Sequence, residues 1–192
     1  MSSEQSPSPT PGAAFTIRPA RDADWPAIWP FFRQIVAAGE TYSYDRDIDE
    51  PSAREIWMLE PPGATVVAVS GDRDVDRDVD GDGHPAGAVL GSAKMNPNQM
   101  GGGSHVASAS FMVDPAAAGR GVGRALGEYA LSWARAQGYR SMQFNAVVET
   151  NTRAVALWRS LGFETVGTVP EAFKHPTKGY VGLHIMYRRL DT

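Results

Sequence analysis

The chain has 192 residues, a formal net charge of −4 at pH 7 and no cysteine. This length fits one domain with a tail, and the lack of cysteine excludes a disulfide framework, a thiolate metal site and a cysteine nucleophile. The acidic balance disfavours a broad nucleic-acid-binding face. No apolar stretch approaches the roughly 18 residues of a membrane span, and no secretory signal is evident. We therefore expect a cytoplasmic protein that binds neither nucleic acid nor membrane.

The predicted elements describe an α/β chain. Residues 1–14 are rich in serine and proline and are predicted to form a disordered tail before a single domain at 15–192. Hydrophobic periodicity and turn residues predict, in chain order, a strand at 15–18, a helix from Asp22 or Asp24 to Gly39 that kinks or breaks at Pro30, a helix at 51–59, strands at 64–69, 86–95 and 105–113, a helix at 121–137, a strand at 140–148, a helix at 151–161, and strands at 163–169 and 180–190. This order predicts a mixed sheet flanked by helices.

An aspartate-rich insertion at 72–85 is predicted to form the tip of a hairpin. Segment 76–81 matches the start of an EF-hand calcium loop, but the twelfth position, which needs a bidentate glutamate, is Gly87. Both a calcium loop and a solvated loop fit this pattern, and the missing glutamate favours the solvated loop. The histidines show no metal-ligand spacing, so no metal site is predicted.

A glycine-rich turn follows the strand that ends at Val113 and opens the most regular predicted helix. Glycines at alternate positions of segment 119–123 let backbone N–H groups converge on one point. The helix N-terminus adds partial positive charge, and Arg120 and Arg124 add donors. Neither the Rossmann nor the P-loop spacing is present. The turn therefore suits a pyrophosphate, although a tight structural connection would use the same glycines.

Two segments resemble motifs of the GNAT N-acetyltransferase superfamily. Segment 118–123 resembles its acyl-CoA-binding motif, Arg/Gln-x-x-Gly-x-Gly/Ala, and segment 151–163 resembles its Asn-x-x-Ala-x-x-Leu-Tyr-x-x-x-Gly-Phe. The order of predicted elements is also that of the family, over residues 15–190. The resemblance implies the GNAT fold, with a mixed, mostly antiparallel central sheet. It also implies acetyl-CoA as co-substrate, no metal, direct attack by the acceptor amine, and a homodimer as a further expectation.

The resemblance further implies where acetyl-CoA binds. The acetyl-pantetheine arm would enter between the fourth and fifth strands, and a backbone N–H near Val113 would stabilise the developing oxyanion. The residues expected at the cofactor are Phe111, Met112, Val113, Ala118, Gly119, Arg120, Gly121, Val122, Gly123, Arg124, Asn151, Ala154 and Trp158.

The chain departs from the family pattern at two positions. Ala118 stands where the motif opens with arginine or glutamine, so this position offers only its backbone N–H to the phosphates. Trp158 stands where many members carry the tyrosine that protonates the departing thiolate. Because an indole N–H does not ionise near pH 7, Trp158 cannot take that role. It is expected to be a wall of the pantetheine channel or a core residue.

Polar residues on the fifth strand indicate an acceptor site. Strand alternation places Gln143 and Asn145 on one face, and an asparagine buried in a central strand needs partners. Segments 142–151, 157–163 and 167–170 resemble the proline-analogue N-acetyltransferases, which act on azetidine-2-carboxylate and related imino acids. In that group an asparagine on the fifth strand positions the substrate, and Asn145 matches it. A purely structural role for Asn145 stays open.

The remaining candidates each have a structural alternative. Glu149 is a candidate general base, or it complements the charge of the next helix N-terminus. His105 is a second candidate for the general base and is also placed at the acceptor, or it is an exposed strand end. Tyr42 and Tyr44 either shape a small acceptor pocket or pack the loop that carries them.

The favoured function is an acetyl-CoA-dependent N-acetyltransferase of a small amino or imino acid. Acetylation of a protein N-terminus or of an aminoglycoside-type amine is the alternative enzyme function. A non-catalytic acyl-CoA sensor is the alternative from another class, motivated by Ala118 and Trp158.

Overall fold

The computed structural model describes residues 15–71 and 87–190. The predicted tail and the aspartate-rich insertion, with its calcium interpretation, lie outside the described residues. The elements are β1 (Phe15–Pro19), α1 (Trp25–Ala38), α2 (Glu50–Trp57), β2 (Ala64–Ser70), β3 (Val89–Pro97), β4 (Val106–Val113), α3 (Val122–Ala136), β5 (Ser141–Val148), α4 (Thr152–Ser160), β6 (Glu164–His175) and β7 (Gly179–Arg189). The predicted order of helices and strands is confirmed. In the described part of the chain no helix has the length and apolarity needed to cross a membrane.

The strands form one seven-stranded sheet in the order β1-β2-β3-β4-β5-β7-β6. Neighbouring strands are antiparallel except for β4 and β5, which are parallel. This parallel pair is short, because only Val106 with Ser141 and Ala107 with Met142 are matched. Beyond Ala107 the two strands separate in the middle of the sheet.

Helices cover both faces of the sheet, because successive side chains of β2 pack against different pairs of helices. Val67 and Val69 pack into the cluster formed with α1 and α2, whereas Val66 and Ala68 pack into the cluster formed with α3 and α4. The two cores therefore lie on opposite faces. The first is built from the aromatic residues of α1 and α2, and the second is built around Leu126, which is fully buried.

The predicted break in the first helix is wrong, because α1 runs without interruption through Pro30. A proline inside a helix costs about 3 kcal/mol. Ile28 and Phe32 of the same helix are fully buried, and their packing outweighs this cost.

Asp24 is the N-cap residue of α1, as predicted, but its side chain makes no capping bond. The carboxylate instead accepts two hydrogen bonds of 2.7 Å from the Arg18 guanidinium. These bonds, more than any other influence, hold the pKa of the Asp24 carboxyl below its usual value. The ion pair thereby ties β1 to the start of α1.

The sixth strand is longer than predicted and continues past Pro170 to His175. It lies at the edge of the sheet, with β7 as its one neighbour. On an edge strand a proline loses no ladder bond if its nitrogen faces away from the neighbour. The pairing with β7 is irregular between Val169 and Phe173, and Glu171 there has a φ of 54°.

Gly91 lets β3 approach β4, and its replacement tests this packing. A Cβ at Gly91 would lie 2.8 Å from the Met112 carbonyl oxygen and 3.0 Å from Cγ1 of Val122. We expect Gly91→Ala to lower the free energy of unfolding in urea by about 1–3 kcal/mol, the usual cost of overpacking. Gly102→Ala is the control, since its Cβ would meet no atom within 4 Å. Equal unfolding midpoints for the two variants would contradict the prediction.

Candidate active site

A cavity of about 450 Å³ lies where β4 and β5 separate. Its walls come from these two strands, the loop between α1 and α2, and the start of α4. Its lining residues are Ile35, Thr41, Tyr42, Ser43, Tyr44, Ser108, Ala109, Ser110, Phe111, Met112, Val113, Phe144, Asn145, Ala146, Val147, Val148, Asn151, Ala154 and Trp158. The lining thus combines apolar side chains with hydroxyl and amide groups.

The edge of β4 directs backbone groups into this gap. The Asn98 N–H donates to the Val106 carbonyl, and the Asp114 N–H donates to the Leu90 carbonyl. The even-numbered residues from Val106 to Asp114 therefore direct their backbone N–H and C=O groups towards β3. The intervening residues, Ala109, Phe111 and Val113, therefore direct their N–H and C=O groups towards β5. The Val113 N–H, which the family resemblance implies as an oxyanion donor, thus faces the gap.

Tyr42 occupies part of this exposed strand edge. Its hydroxyl donates to the Phe111 carbonyl at 2.5 Å and accepts from the Phe111 N–H at 3.1 Å. Burial, with a contribution from nearby Tyr44, raises the pKa of the Tyr42 phenol far above its usual value. The hydroxyl replaces the strand partner that Phe111 lacks.

An aromatic wall closes the side of the cavity near α4. The ring of Trp158 lies 4.7 Å from that of Phe111 and 4.9 Å from that of Phe144, measured between centroids. Trp158 is only 7% exposed, and it also lines the cavity. Trp158 is therefore a core residue that also forms part of the cavity wall.

Three side-chain amides form a hydrogen-bonded chain beside the cavity. Gln143 Nε2 donates to Asn145 Oδ1 at 2.8 Å, and Asn145 Nδ2 donates to Asn98 Oδ1 at 2.6 Å. The expectation that Asn145 is buried is wrong, since the residue is exposed. At this point β5 has separated from β4, and its pairing with β7 is irregular after Phe144. No motif pointed to Asn98, because its position depends on the register between distant strands.

Hydroxyl groups from two elements line the opposite wall. Ser110 on β4 is hydrogen-bonded to the phenol of Tyr44, and Ser108 precedes it on the same strand face. Thr41 also lines the cavity, and its Oγ1 is buried with no hydrogen-bond partner among the described residues. No sequence motif marked these residues, although the alternation of Ser108 and Ser110 along a strand could have indicated the serines.

The glycine-rich turn has the geometry of an anion-binding loop. Gly119 and Gly121 have φ values of 83° and 80°, and a Cβ on either would meet no atom within 4 Å. Gly121 is the N-cap of α3, and because glycine has no side chain it leaves the first N–H groups of the helix uncapped. The first N–H groups of a helix have no partner within the helix, so they face the open space before the turn.

One predicted phosphate contact is changed by the turn itself. The Ala118 N–H, expected to remain available, donates to the Pro115 carbonyl at 3.2 Å. Val122 is buried in the core, so only its backbone faces the turn. Gly123 lies close to Leu157 and Val113, and a Cβ there would be 3.6 Å from each.

Two predicted cofactor residues, Arg124 and Asn151, already have hydrogen-bond partners near α4. Arg124 lies in the first turn of α3, and its Nη2 donates to Ser160 Oγ at 2.7 Å. This hydrogen bond joins α3 to α4. Asn151 caps α4 by accepting from the Ala154 N–H at 3.2 Å.

Neither candidate base lines the cavity. Glu149 Oε1 accepts from the Gly182 N–H at 2.5 Å, next to the end of β5. His105 is exposed before the start of β4, and its carbonyl accepts from the Arg140 N–H. The structure therefore brings together the predicted residues Tyr42, Tyr44, Phe111, Met112, Val113, Asn145, Asn151, Ala154 and Trp158. Within residues 15–71 and 87–190, no cluster of histidine and acidic residues could hold a metal ion.

Comparisons with known proteins agree with this geometry. Residues 28–163 match the model of a family described as the acetyltransferase (GNAT) family. Among curated proteins, the N-acetyltransferase aca1 of Schizosaccharomyces pombe is 33% identical over 99 residues, which are 51% of this chain and 47% of that protein. The chain thus matches about half the length of this curated relative.

Solved structures extend the match to almost the whole chain. A GCN5-related N-acetyltransferase from Kribbella flavida is 58% identical, with a TM-score of 0.83 over 92% of this chain and 98% of that one. A phosphinothricin acetyltransferase from Sinorhizobium meliloti in complex with AcCoA is 23% identical, with a TM-score of 0.77 over 92% of this chain and 89% of that one. The second likeness concerns the fold alone.

Removal of the Tyr42 hydroxyl tests its bond to the strand edge. We expect Tyr42→Phe to lower the free energy of unfolding by about 1–3 kcal/mol, because the Phe111 backbone groups lose their partner. Tyr180→Phe is the control, since Tyr180 is 65% exposed. Chemical denaturation of both variants measures the difference, and a Tyr42→Phe protein as stable as the control would contradict this role.

Proposed function

Because this chain belongs to the acetyltransferase (GNAT) family, we propose that it transfers an acetyl group from acetyl-CoA to the amine of a small amino or imino acid. The observation that carries the proposal is the separation of β4 and β5. It exposes the backbone of β4 beside a cavity that has hydroxyl and amide groups in its walls.

The residues present fit acetyl-CoA. The open space beside Gly119 and Gly121, next to the first N–H groups of α3, suits a pyrophosphate. The gap-facing backbone of Ala109 and Val113 suits the amide groups of a pantetheine arm. When bound, acetyl-CoA supplies an acetyl group activated as a thioester.

The chain's own groups would favour the transfer by position and polarity. The Val113 N–H faces the gap and is the donor best placed for negative charge that develops on a carbonyl oxygen. The cavity walls hold the acceptor amine near the same point, which supplies proximity. Trp158 bounds the site and donates no proton. None is required, because a thiol with a pKa of about 8.5 can leave as the thiolate.

The acceptor would be held by the amide chain of Gln143, Asn145 and Asn98. Two hydrogen bonds restrain the Asn145 amide at the cavity wall, so it can hold a polar group of the acceptor with little loss of side-chain freedom. Glu149 and His105 receive no proton-transfer role, and the proton of the attacking amine would leave through water. The resemblance to proline-analogue enzymes supports an acceptor of this size.

The wider expectations belong to the same proposal. We propose a single domain at 15–192, a cytoplasmic location and a homodimer, on the resemblance to the family alone.

A thiol-release assay tests the proposed activity. The purified full chain is mixed with acetyl-CoA and with azetidine-2-carboxylate, phosphinothricin, an aminoglycoside or a short peptide. We expect CoA release with the first or second amine. Release only with the aminoglycoside or the peptide would overturn the acceptor class. Acetyl-CoA binding without release on any amine would favour the sensor function.

Asn145→Ala tests the amide chain. We expect turnover of the preferred acceptor to fall by at least about tenfold, because a positioning contact is lost, while the Kd of acetyl-CoA stays the same. Gln137→Ala, at the exposed end of α3, is the control for loss of a side-chain amide. Wild-type turnover in Asn145→Ala would contradict the role of this residue.

Gly121→Ala tests the anion-binding turn. We expect calorimetric titration to give a Kd for acetyl-CoA about tenfold higher, because the Cβ strains a positive φ and fills the space before α3. Gly138→Ala carries the same kind of strain, since Gly138 has a φ of 79° just beyond the other end of α3. An equal change in Kd for both variants would mean that the turn does not contact the cofactor.

A further inference from the structure

A half-buried lysine lies directly behind one wall of the cavity. Lys94 on β3 is paired across the sheet with Ser110, which lines the cavity. Its Nζ lies 5.7 Å from the centroid of the Tyr44 ring and 5.6 Å from that of the Trp57 ring. One layer of side chains, formed by Tyr44 and Ser110, therefore separates this ammonium group from the cavity.

The charge of Lys94 is only partly compensated within the described residues. Its Nζ donates to the Ile56 carbonyl at 2.7 Å, at the C-terminal end of α2, and the two rings offer their faces. The ion pairs of the described residues join arginines to carboxylates elsewhere, and none includes Lys94. Burial also lowers the pKa of the Lys94 ammonium group, as expected where no carboxylate supports the charge.

A structural role explains part of this arrangement. Lys94 caps the last turn of α2, and a cation is favourable at a helix C-terminus. Capping uses one of the three donors of the ammonium group, yet it leaves a net positive charge near a cavity whose walls carry hydroxyl and amide groups. A buried charge of this kind is stabilised when an anion binds nearby, and salt screens it less than a surface charge.

We propose that Lys94 is a specificity-determining residue that favours acceptors with a carboxylate next to the amine. This inference rests on the proposed function and names a residue that selects for the carboxylate of its amino- or imino-acid acceptors. Lys94 acts through the wall, because its positive potential reaches the cavity past Tyr44 and Ser110. The hydroxyl and amide groups of the lining then supply the direct hydrogen bonds.

A pair of acceptors that differ in charge tests the proposal. Azetidine-2-carboxylate is compared with azetidine-2-carboxamide, and each variant is compared with the wild type on the same acceptor, so that differences in amine reactivity cancel. For Lys94→Met, we expect kcat/KM to fall at least tenfold on the carboxylate, mainly through KM, and less than twofold on the carboxamide. The KM of acetyl-CoA should not change.

Two further variants separate charge from packing. Lys94→Arg keeps the positive charge and should retain the preference for the carboxylate. Lys178→Met removes an exposed charge from the β6–β7 turn and should behave as the wild type. Equal losses on both acceptors in Lys94→Met would overturn the proposal, since they indicate a structural role or an action on the thioester. Unchanged kinetics would also overturn it.

A measurement on the wild type covers the case in which Lys94→Met does not fold. Cyclobutanecarboxylate and cyclobutanecarboxamide resemble the two acceptors without the amine, and the carboxylate should inhibit at least tenfold more strongly. Equal inhibition would overturn the role of Lys94 and leave the acetyltransferase activity standing. If none of the amines tested causes the wild type to release CoA, the proposed function itself fails, and this inference fails with it.

Discussion

The separation of β4 and β5 is the constraint on which the rest of the structure depends. After two matched residue pairs the central sheet opens, and the backbone groups of Ala109, Phe111 and Val113 lose the strand that would satisfy them. Buried backbone groups without partners are costly. The protein meets this cost in two ways, with the Tyr42 hydroxyl at Phe111 and with an open cavity where a ligand can bind.

Packing on the two faces accommodates the separated strands. On the α4 side, the ring of Trp158 packs against those of Phe111 and Phe144, between the two strands. On the other face, Met112 belongs to the cluster formed with α1 and α2, which also includes Trp57. Collapse of the gap would require both layers to repack, and close-packed cores resist such changes. The site is therefore held open by the same contacts that hold the domain together.

Positive charge lies beside the cavity, at the N-terminus of α3 and at Lys94, and not in the cavity lining. The first turn of α3 presents backbone N–H groups to an anion, while the cavity lining offers hydroxyl and amide groups. Lys94 adds a positive charge behind Tyr44. Among the described residues no arginine lines the cavity, and under the proposed function the reacting centre would rely on backbone donors, which need no titratable group.

The sequence alone determined the order of the elements, the glycine-rich turn and nine of the nineteen residues that line the cavity. These features depend on local periodicity and on motifs whose spacing is set along the chain. Only the tertiary structure decided that α1 continues through Pro30, that the Ala118 N–H bonds to Pro115, and that Asn145 is exposed and bonded to Asn98. It alone placed Lys94 behind the cavity wall. These outcomes depend on packing energy and on the register between strands distant in sequence, which local patterns do not encode.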